Sequence, residues 1–442
     1  MAKENTKVEA KKEIGDDPMN PVPENQRQHW LAPAVIFGGL EFSVTILMVG
    51  STLVNQFGFK KTISIVLFTF IILTWIGNSI GGYIGAKTGL ASTIIARQPF
   101  GDKQAKFIIA LVVGVISLGW WSIQTSITGN AVCAMLKIDY TQNKLVWAVI
   151  TIIVGLTFAI PSIIGYSSMK WTDYVAVPAG MLIVAGMVYL SLKKNGWDAI
   201  WNYTPSTAGT MSFAAAVTFI LGMNVSQWVI AADYTRYAKP TVKDNIIIPW
   251  GIILIGVPLV MIGAMMAVGE GTYDVVQIMV DLGFPGWGFF VLWLAAWTSQ
   301  LVNNYSMGLS FSNILNIESN KGRAWVTFVS TIIAIIVSLL GMMDHFQDML
   351  TMAALIYPGI AGVIFTDFFM KKGHWEDKQG WNMVATMALV VNLAVGYLTT
   401  YVVKVGIPPV QSIIVTCIVY YFGMKIKAKK SPDKFTEGII VK

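Results

Sequence analysis

Between Trp30 and Met424 the chain returns repeatedly to uncharged, apolar runs of about twenty residues. That is the length an α-helix needs to cross a bilayer core about 30 Å thick. Charged residues make up only 12% of the 442, against roughly 25% in a soluble domain. A chain so poor in charge is folded in lipid, where every backbone polar group must be satisfied inside a helix or a closed barrel. The runs are too long for barrel strands, so an all-α integral membrane protein is expected. Twelve transmembrane spans are read, at 31–56, 63–85, 106–135, 144–165, 171–192, 212–232, 246–268, 285–313, 324–342, 348–370, 381–403 and 407–425. Residues 1–29, rich in Lys, Glu, Asn and Pro, are expected to form a solvated tail without a signal peptide.

Basic residues orient the chain, because cytoplasmic loops retain Lys and Arg. With an even number of spans both ends share a side, and placing that side in the cytoplasm puts 24 of the 31 basic residues inward. Only Lys60, Lys61, Lys137, Lys144, Lys193, Lys194 and Lys404 then face outward. The net charge of +7 is accounted for by this asymmetry and by contact with anionic lipid, so no nucleic-acid partner is expected. Cys133 and Cys417 both fall in apolar spans and read as packing residues rather than a disulfide framework or metal cluster.

The motifs of membrane ATPases and metalloproteases are missing: there is no CxxC, HExxH or phosphate-binding GxxxxGK[ST]. No catalytic residues and no enzyme activity are expected. What remains is a set of polar residues inside apolar spans. Such groups are costly in hydrocarbon and turn toward a cavity, a partner helix or a substrate path.

The densest set is "WTSQLVNNYSMG", 297–308. At 3.6 residues per turn Ser299 and Asn303 share one stripe and Gln300 and Asn304 the adjacent one, which gives a wide polar face that lipid cannot cover. Taken alone, this face reads equally as interhelical hydrogen-bonding glue. In "IFGGLEFSVT", 36–45, Gly38 and Gly39 precede the ionisable Glu41; in "ILGMNVSQW", 220–228, Gly222 precedes Asn224, Ser226 and Gln227. Two glycine-interrupted, polar-centred spans at corresponding places in two halves point to an inverted-repeat transporter with its site near the midplane.

The segments "GYIGAKTGLASTIIARQPFG" (82–101), "GWWSIQT" (119–125), "AADYTRY" (231–237), "WTSQLVNNYSMGLSFSNI" (297–314) and "GVIFTDFFMKK" (362–372) closely resemble the first nucleobase:cation symporter family. Its members include cytosine, purine–cytosine and allantoin permeases and hydantoin transporters, and the motifs stand nearest the cytosine permeases. The likeness runs from about residue 21 to 425. It implies a five-plus-five inverted repeat of the LeuT type with broken spans 1 and 6, and sodium- or proton-driven uptake of a nucleobase-like ring. In these terms residues 1–29 are a cytoplasmic tail, 30–200 the first repeat, 201–372 the second, 373–428 spans 11 and 12, and 429–442 a second cytoplasmic tail.

The resemblance also implies site residues. A sodium ion is expected between spans 1 and 8, on the hydroxyls of Thr298 and Ser299 and the carbonyls of Gly39, Phe42 and Ala295, an oxygen set suited to a hard cation. The ring is expected on Trp120, with Gln124 one turn along reading its edge and Asn304 of span 8 completing the readout. Asn303 and Gln300 are second choices, Gly39 borders the site, and Trp121 faces packing or lipid. Two positions depart from the family pattern. Asn224 stands where a second aromatic is usual, leaving the sandwich one-sided unless Trp228 swings in, and Glu41 stands where cytosine permeases carry an uncharged residue. Glu41 is therefore read as a partner for an amino-substituted or cationic ring, or as a proton carrier. The expectation is a multi-pass inner-membrane importer, functional as a monomer in the bilayer, that takes up a nucleobase-like heterocycle with Na⁺ by alternating access. H⁺ coupling through Glu41 and a non-transporting substrate sensor are the alternatives.

Overall fold

The computed structural model describes residues 19–41, 43–205, 211–271, 275–284 and 286–430, without the side chains of 170–173, 175–184, 287, 291–295, 298, 299 and 347. The described residues are helical, with no strand beyond an isolated bridge between Gln28 and Ala238. The helices are α1 (Leu31–Glu41) and α2 (Val44–Phe57), α3 (Phe59–Thr88), α4 (Asp102–Met135) and α5 (Lys144–Ile164), and α6 (Tyr166–Asn195). After them come α7 (Phe213–Thr235) and α8 (Val242–Met266), α9 (Gly286–Leu315), α10 (Asn320–Leu339), α11 (Phe346–Met370), α12 (Met383–Val402) and α13 (Pro408–Lys430).

Among the described residues nine of these helices are long and apolar enough to cross a membrane, and α1 with α2, bent by 58°, adds a tenth span. The thirty-residue helices α6 and α9 stand where the fifth and eighth spans are expected.

The solvent for this fold is lipid, and the peripheral helices are built accordingly. On α10, Trp325, Val329, Ile333 and Ile336 are exposed, whereas Thr327, Thr331, Ala334 and Ser338 are buried. Small and hydroxylic residues face the protein because they allow close approach and hydrogen bonding between helices, and bulky apolar ones face the hydrocarbon. Ser126 and Ser338 pair their hydroxyls at 2.8 Å in this way, and Ser122 donates to the Ala334 carbonyl at 2.8 Å.

Closest packing is reached between the first and seventh spans. A Cβ on Gly251 of α8 would lie 2.0 Å from the Ala34 carbonyl oxygen of α1, one on Gly263 2.1 Å from that of Leu47 in α2, and one on Gly50 1.8 Å from that of Val260. Only glycine allows these backbones to touch. Gly38 belongs to the same seam, with Ile255 3.3 Å from where its side chain would start. The bend therefore falls between Glu41 and Val44, beyond the glycine pair. The sixth span is interrupted more mildly: Val225 and Ser226 leave the regular helix but keep right-handed helical angles. Gly222 packs against the backbone of Leu350 in α11 and does not break the helix.

Candidate functional site

The bend in the first span and the interruption in the sixth face one another across a narrow pocket with a free volume of about 30 Å³. Its wall is formed by Leu40, Glu41, Ser43, Thr45 and Ile46 around the bend, Met223, Asn224, Ser226 and Gln227 around the interruption, Trp120 and Gln124 of α4, and Asn303 of α9. Each local structure follows from its residues. Ser43 adopts an extended conformation (φ −141°, ψ 152°) to restart the chain as α2, and its hydroxyl is 2.6 Å from that of Thr45. Trp120 and Gln124 stand one turn apart and so share a helix face.

These polar groups are deeply enclosed: Glu41, Ser43, Gln124, Asn224, Ser226, Gln227 and Asn303 are each between 3 and 5% exposed. Glu41 Oε2, Asn224 Nδ2 and Gln227 Oε1 are buried with no hydrogen-bond partner. Leaving a buried donor or acceptor unpaired costs about 1–3 kcal/mol. Three such atoms belong to residues that line this one cavity. Trp120 supplies the flat apolar side of the pocket, held edge-on by Phe346 at 6.1 Å between ring centroids.

Five residues singled out from the sequence thus meet in this pocket: Glu41, Trp120, Gln124, Asn224 and Asn303. Asn304, expected to read the ring edge, is not on its wall. Its amide donates to Ser162 Oγ at 2.8 Å and accepts from Thr331 Oγ1 at 3.0 Å, so it is committed to the α5 and α10 side of the bundle. Asn303, one position earlier, is the α9 amide that faces the pocket. Gln300 is fully buried toward α4, where Thr125 Oγ1 donates to its Oε1 at 3.2 Å. Trp228 turns to α3 and fills the space left by Gly77, where a Cβ would sit 2.3 Å from the indole, so it does not close over the pocket as a second aromatic. Trp121 is wholly buried with Val154, Phe158, Ala159 and Ala334.

For the expected ion site, Gly39 is buried in α1 two residues before Glu41. Thr298 and Ser299 lie on α9, about one turn ahead of Asn303. Phe42 and the side chains of Ala295, Thr298 and Ser299 lie outside the described residues. Ser43, Thr45, Ser226 and Gln227 are pocket residues that the sequence analysis did not select. The signal for them was the polar composition just after each interruption.

On the side that carries most of the basic loops, the segment 89–104 is tucked under the bundle. The Ser92 backbone N–H donates to Asp233 Oδ1 at 2.8 Å, and Ser306 Oγ of α9 donates to Asp233 Oδ2 at 2.7 Å. Gln98 donates to Asp367 Oδ2 at 2.6 Å, an oxygen that also pairs with Lys371 at 3.2 Å. Asp233 and Asp367 therefore tie the segment to the sixth, eighth and tenth spans.

A bent first span and an interrupted sixth around a central polar pocket define a multi-pass helical fold of the LeuT-like type. The same architecture is found in Mhp1, a nucleobase-cation-symport-1 family transporter in a closed conformation with bromovinylhydantoin bound: TM-score 0.80 and 20% identity over 95% of this chain and 97% of that one. A Na⁺-coupled sialic acid symporter in a substrate-bound outward-open state matches with TM-score 0.64 and 14% identity over 92% and 90% of the two chains. The chain belongs to the family of permeases for cytosine/purines, uracil, thiamine and allantoin, whose sequence model matches residues 21–423. The cytosine permease of Escherichia coli strain K12 is 26% identical over 423 residues, 94% of this chain and 96% of that protein. The chain is a membrane permease, and its relatives are transporters rather than enzymes.

Proposed function

We propose that this permease imports a nucleobase or a related nitrogen heterocycle by Na⁺ symport and alternating access. The observation that carries the reading is the set of unpartnered buried atoms, Glu41 Oε2, Asn224 Nδ2 and Gln227 Oε1, on residues that line one pocket with Trp120. A planar heterocycle stacks on the indole and offers the donors and acceptors these groups lack. Trp120, Gln124, Asn303, Asn224 and Glu41 hold the ring, and Asn304, Gln300 and Trp228 support the helices around it. Na⁺ travels with the ring, held by Thr298 and Ser299 hydroxyls and the carbonyls of Gly39, Phe42 and Ala295. Bending of the first span supports this, because it releases carbonyls that a straight helix would occupy.

The pocket draws on two groups of helices. Glu41, Ser43, Thr45, Asn224 and Gln227 come from the first and sixth spans, Trp120, Gln124 and Asn303 from the third and eighth. Spans 1, 2, 6 and 7 rock against 3, 4, 8 and 9, and a ring touching both sets holds them at one angle. The repeats run from 30 to 200 and from 201 to 372. The distribution of basic residues supports a topology with both termini in the cytoplasm, and the protein is read as a monomer in the inner membrane.

The test is a thermal-shift panel on the purified protein with cytosine, adenine, guanine, hypoxanthine, uracil, allantoin, hydantoin and hydroxymethylpyrimidine, each with and without Na⁺. Stabilisation by a ring that requires Na⁺ is the expected result, and uptake of that ring into proteoliposomes separates a transporter from a sensor. One observation favours a second reading: Glu41 Oε2 is buried without a partner, as a proton-carrying carboxyl would be between loadings. Uptake that follows pH and ignores replacement of Na⁺ would transfer the coupling role to Glu41.

A further inference from the structure

Every polar group on the pocket wall except one can serve either as donor or as acceptor. Asn224, Gln227, Gln124 and Asn303 are amides, and Ser43, Thr45 and Ser226 are hydroxyls; each accommodates a ring carbonyl or a ring amino group by turning. Glu41 is the exception once ring N–H groups draw it into the ionised form, because a carboxylate only accepts. It is 3% exposed, Oε2 has no hydrogen-bond partner, and among the described residues it makes no ion pair. The site is built for it. A Cβ on Gly256 of α8 would lie 3.0 Å from Oε2, so the absence of a side chain there opens the notch that receives the carboxyl.

We propose that Glu41 is the specificity-determining residue of this pocket. Its carboxylate takes ring edges that present two adjacent donors, an exocyclic amino group beside a ring N–H, and turns away the corresponding oxo rings. The inference rests on the pocket being the substrate site. Two neighbouring N–H groups match the two oxygens of a carboxylate, in the manner of a guanidinium, and the bonds are charge-assisted. An oxo ring brings a carbonyl oxygen to the same place. There it leaves the buried carboxylate unpaired and sets two acceptors against one another, which is the costly arrangement in an enclosed site. The amides then read the rest of the ring without discriminating, and Trp120 holds its face.

Guanine with xanthine, and cytosine with uracil, are pairs that differ at the group Glu41 would read. Cytosine supplies its second donor by taking up a proton at the ring nitrogen. Dissociation constants for the four rings are measured on the full-length protein in Na⁺, for the wild type and for Glu41→Gln, which keeps size and shape. The wild type is expected to bind the amino member of at least one pair about 10- to 100-fold more tightly than its oxo counterpart, the range for a hydrogen bond to a charged group. In Glu41→Gln that ratio is expected to fall to about threefold or less. A merely structural role would weaken both members together and leave the ratio unchanged, which overturns the inference.

The wild-type ratio also decides the matter without the variant, should the variant fail to fold. Equal affinity within each pair, or binding confined to uracil, hydantoin or allantoin, overturns the inference and leaves heterocycle transport standing. No binding of any ring, with or without Na⁺, removes the proposed function and the inference with it.

Discussion

Oε2 of Glu41 lies 3.0 Å from the point at which a side chain on Gly256 would begin, and the Phe70 ring lies 2.5 Å from the same point. A carboxyl from the first span thus occupies a notch cut into the seventh and is flanked by an aromatic of the second. Gly256→Ala puts a methyl into that contact. Overpacking of this kind costs about 1–3 kcal/mol, so the variant is expected to melt at lower temperature and to bind the ring more weakly. Unchanged melting and affinity would show the notch to be slack.

Trp120 and Trp121 are adjacent in sequence and opposite in role. Trp120→Ala is expected to weaken ring binding by roughly ten- to a hundredfold, since stacking of a base on an aromatic is worth about 1–3 kcal/mol, with Trp120→Phe retaining most of it. Trp121→Ala empties a site between α4, α5 and α10. It is expected to cost about 3–5 kcal/mol of stability while leaving the relative affinities of different rings as they were. Binding isotherms and thermal unfolding of the pair decide the assignment; equal effects on affinity would argue against it.

The same logic separates two asparagines. Asn303→Ala is expected to lower ring affinity with little change in melting. Asn304→Ala leaves the Ser162 and Thr331 hydroxyls without their common partner, an expected loss of about 1–3 kcal/mol in stability. The reverse pattern would return the edge-reading role to Asn304.

Replacing Thr298 or Ser299 by Ala is expected to weaken Na⁺ dependence and ring affinity together, because linkage is reciprocal and typically amounts to about 1–3 kcal/mol. A sodium titration of ring binding in each variant measures this. A sodium response unaltered in both would place the ion elsewhere.

Asp233→Asn removes charge from a carboxylate that accepts from the Ser92 backbone and the Ser306 hydroxyl. Bonds to a charged group contribute about 1.5–3 kcal/mol each, so the segment 89–104 is expected to loosen. Thr93, now buried, is a suitable reporter. Thr93→Cys is expected to react faster with a thiol reagent in the Asp233→Asn background than in its absence, and equal rates would show that Asp233 does not hold the segment.

The membrane class, the positions of the spans and the importance of the first and sixth could be read from the sequence, because bilayer thickness and intramembrane polarity impose them directly. So could Trp120 and Gln124, whose spacing puts them on one face whichever way α4 is turned. Rotation of a helix about its own axis could not be read. Asn303 and Asn304 differ by 100° around α9, and only contact with Ser162 and Thr331 fixes which of them faces inward. Trp228 is a similar case: its direction is decided by Gly77, 151 residues earlier, whose missing side chain makes room for the indole. Ser92 and Asp233 meet across 141 residues, a pairing that local pattern does not contain.

The glycine seam of α8 grips the first span on both sides of its bend, through Gly251 at Ala34 and through Gly263 at Leu47. Both arms of the bend are thus held by one helix, which carries Pro258 between the two contacts. If the seventh span rotates as the proposed alternating access requires, the 58° elbow carries Glu41 past the indole of Trp120. On that proposal the working stroke is the separation of those two side chains, which paired spectroscopic labels placed one turn away on each helix would register as a distance.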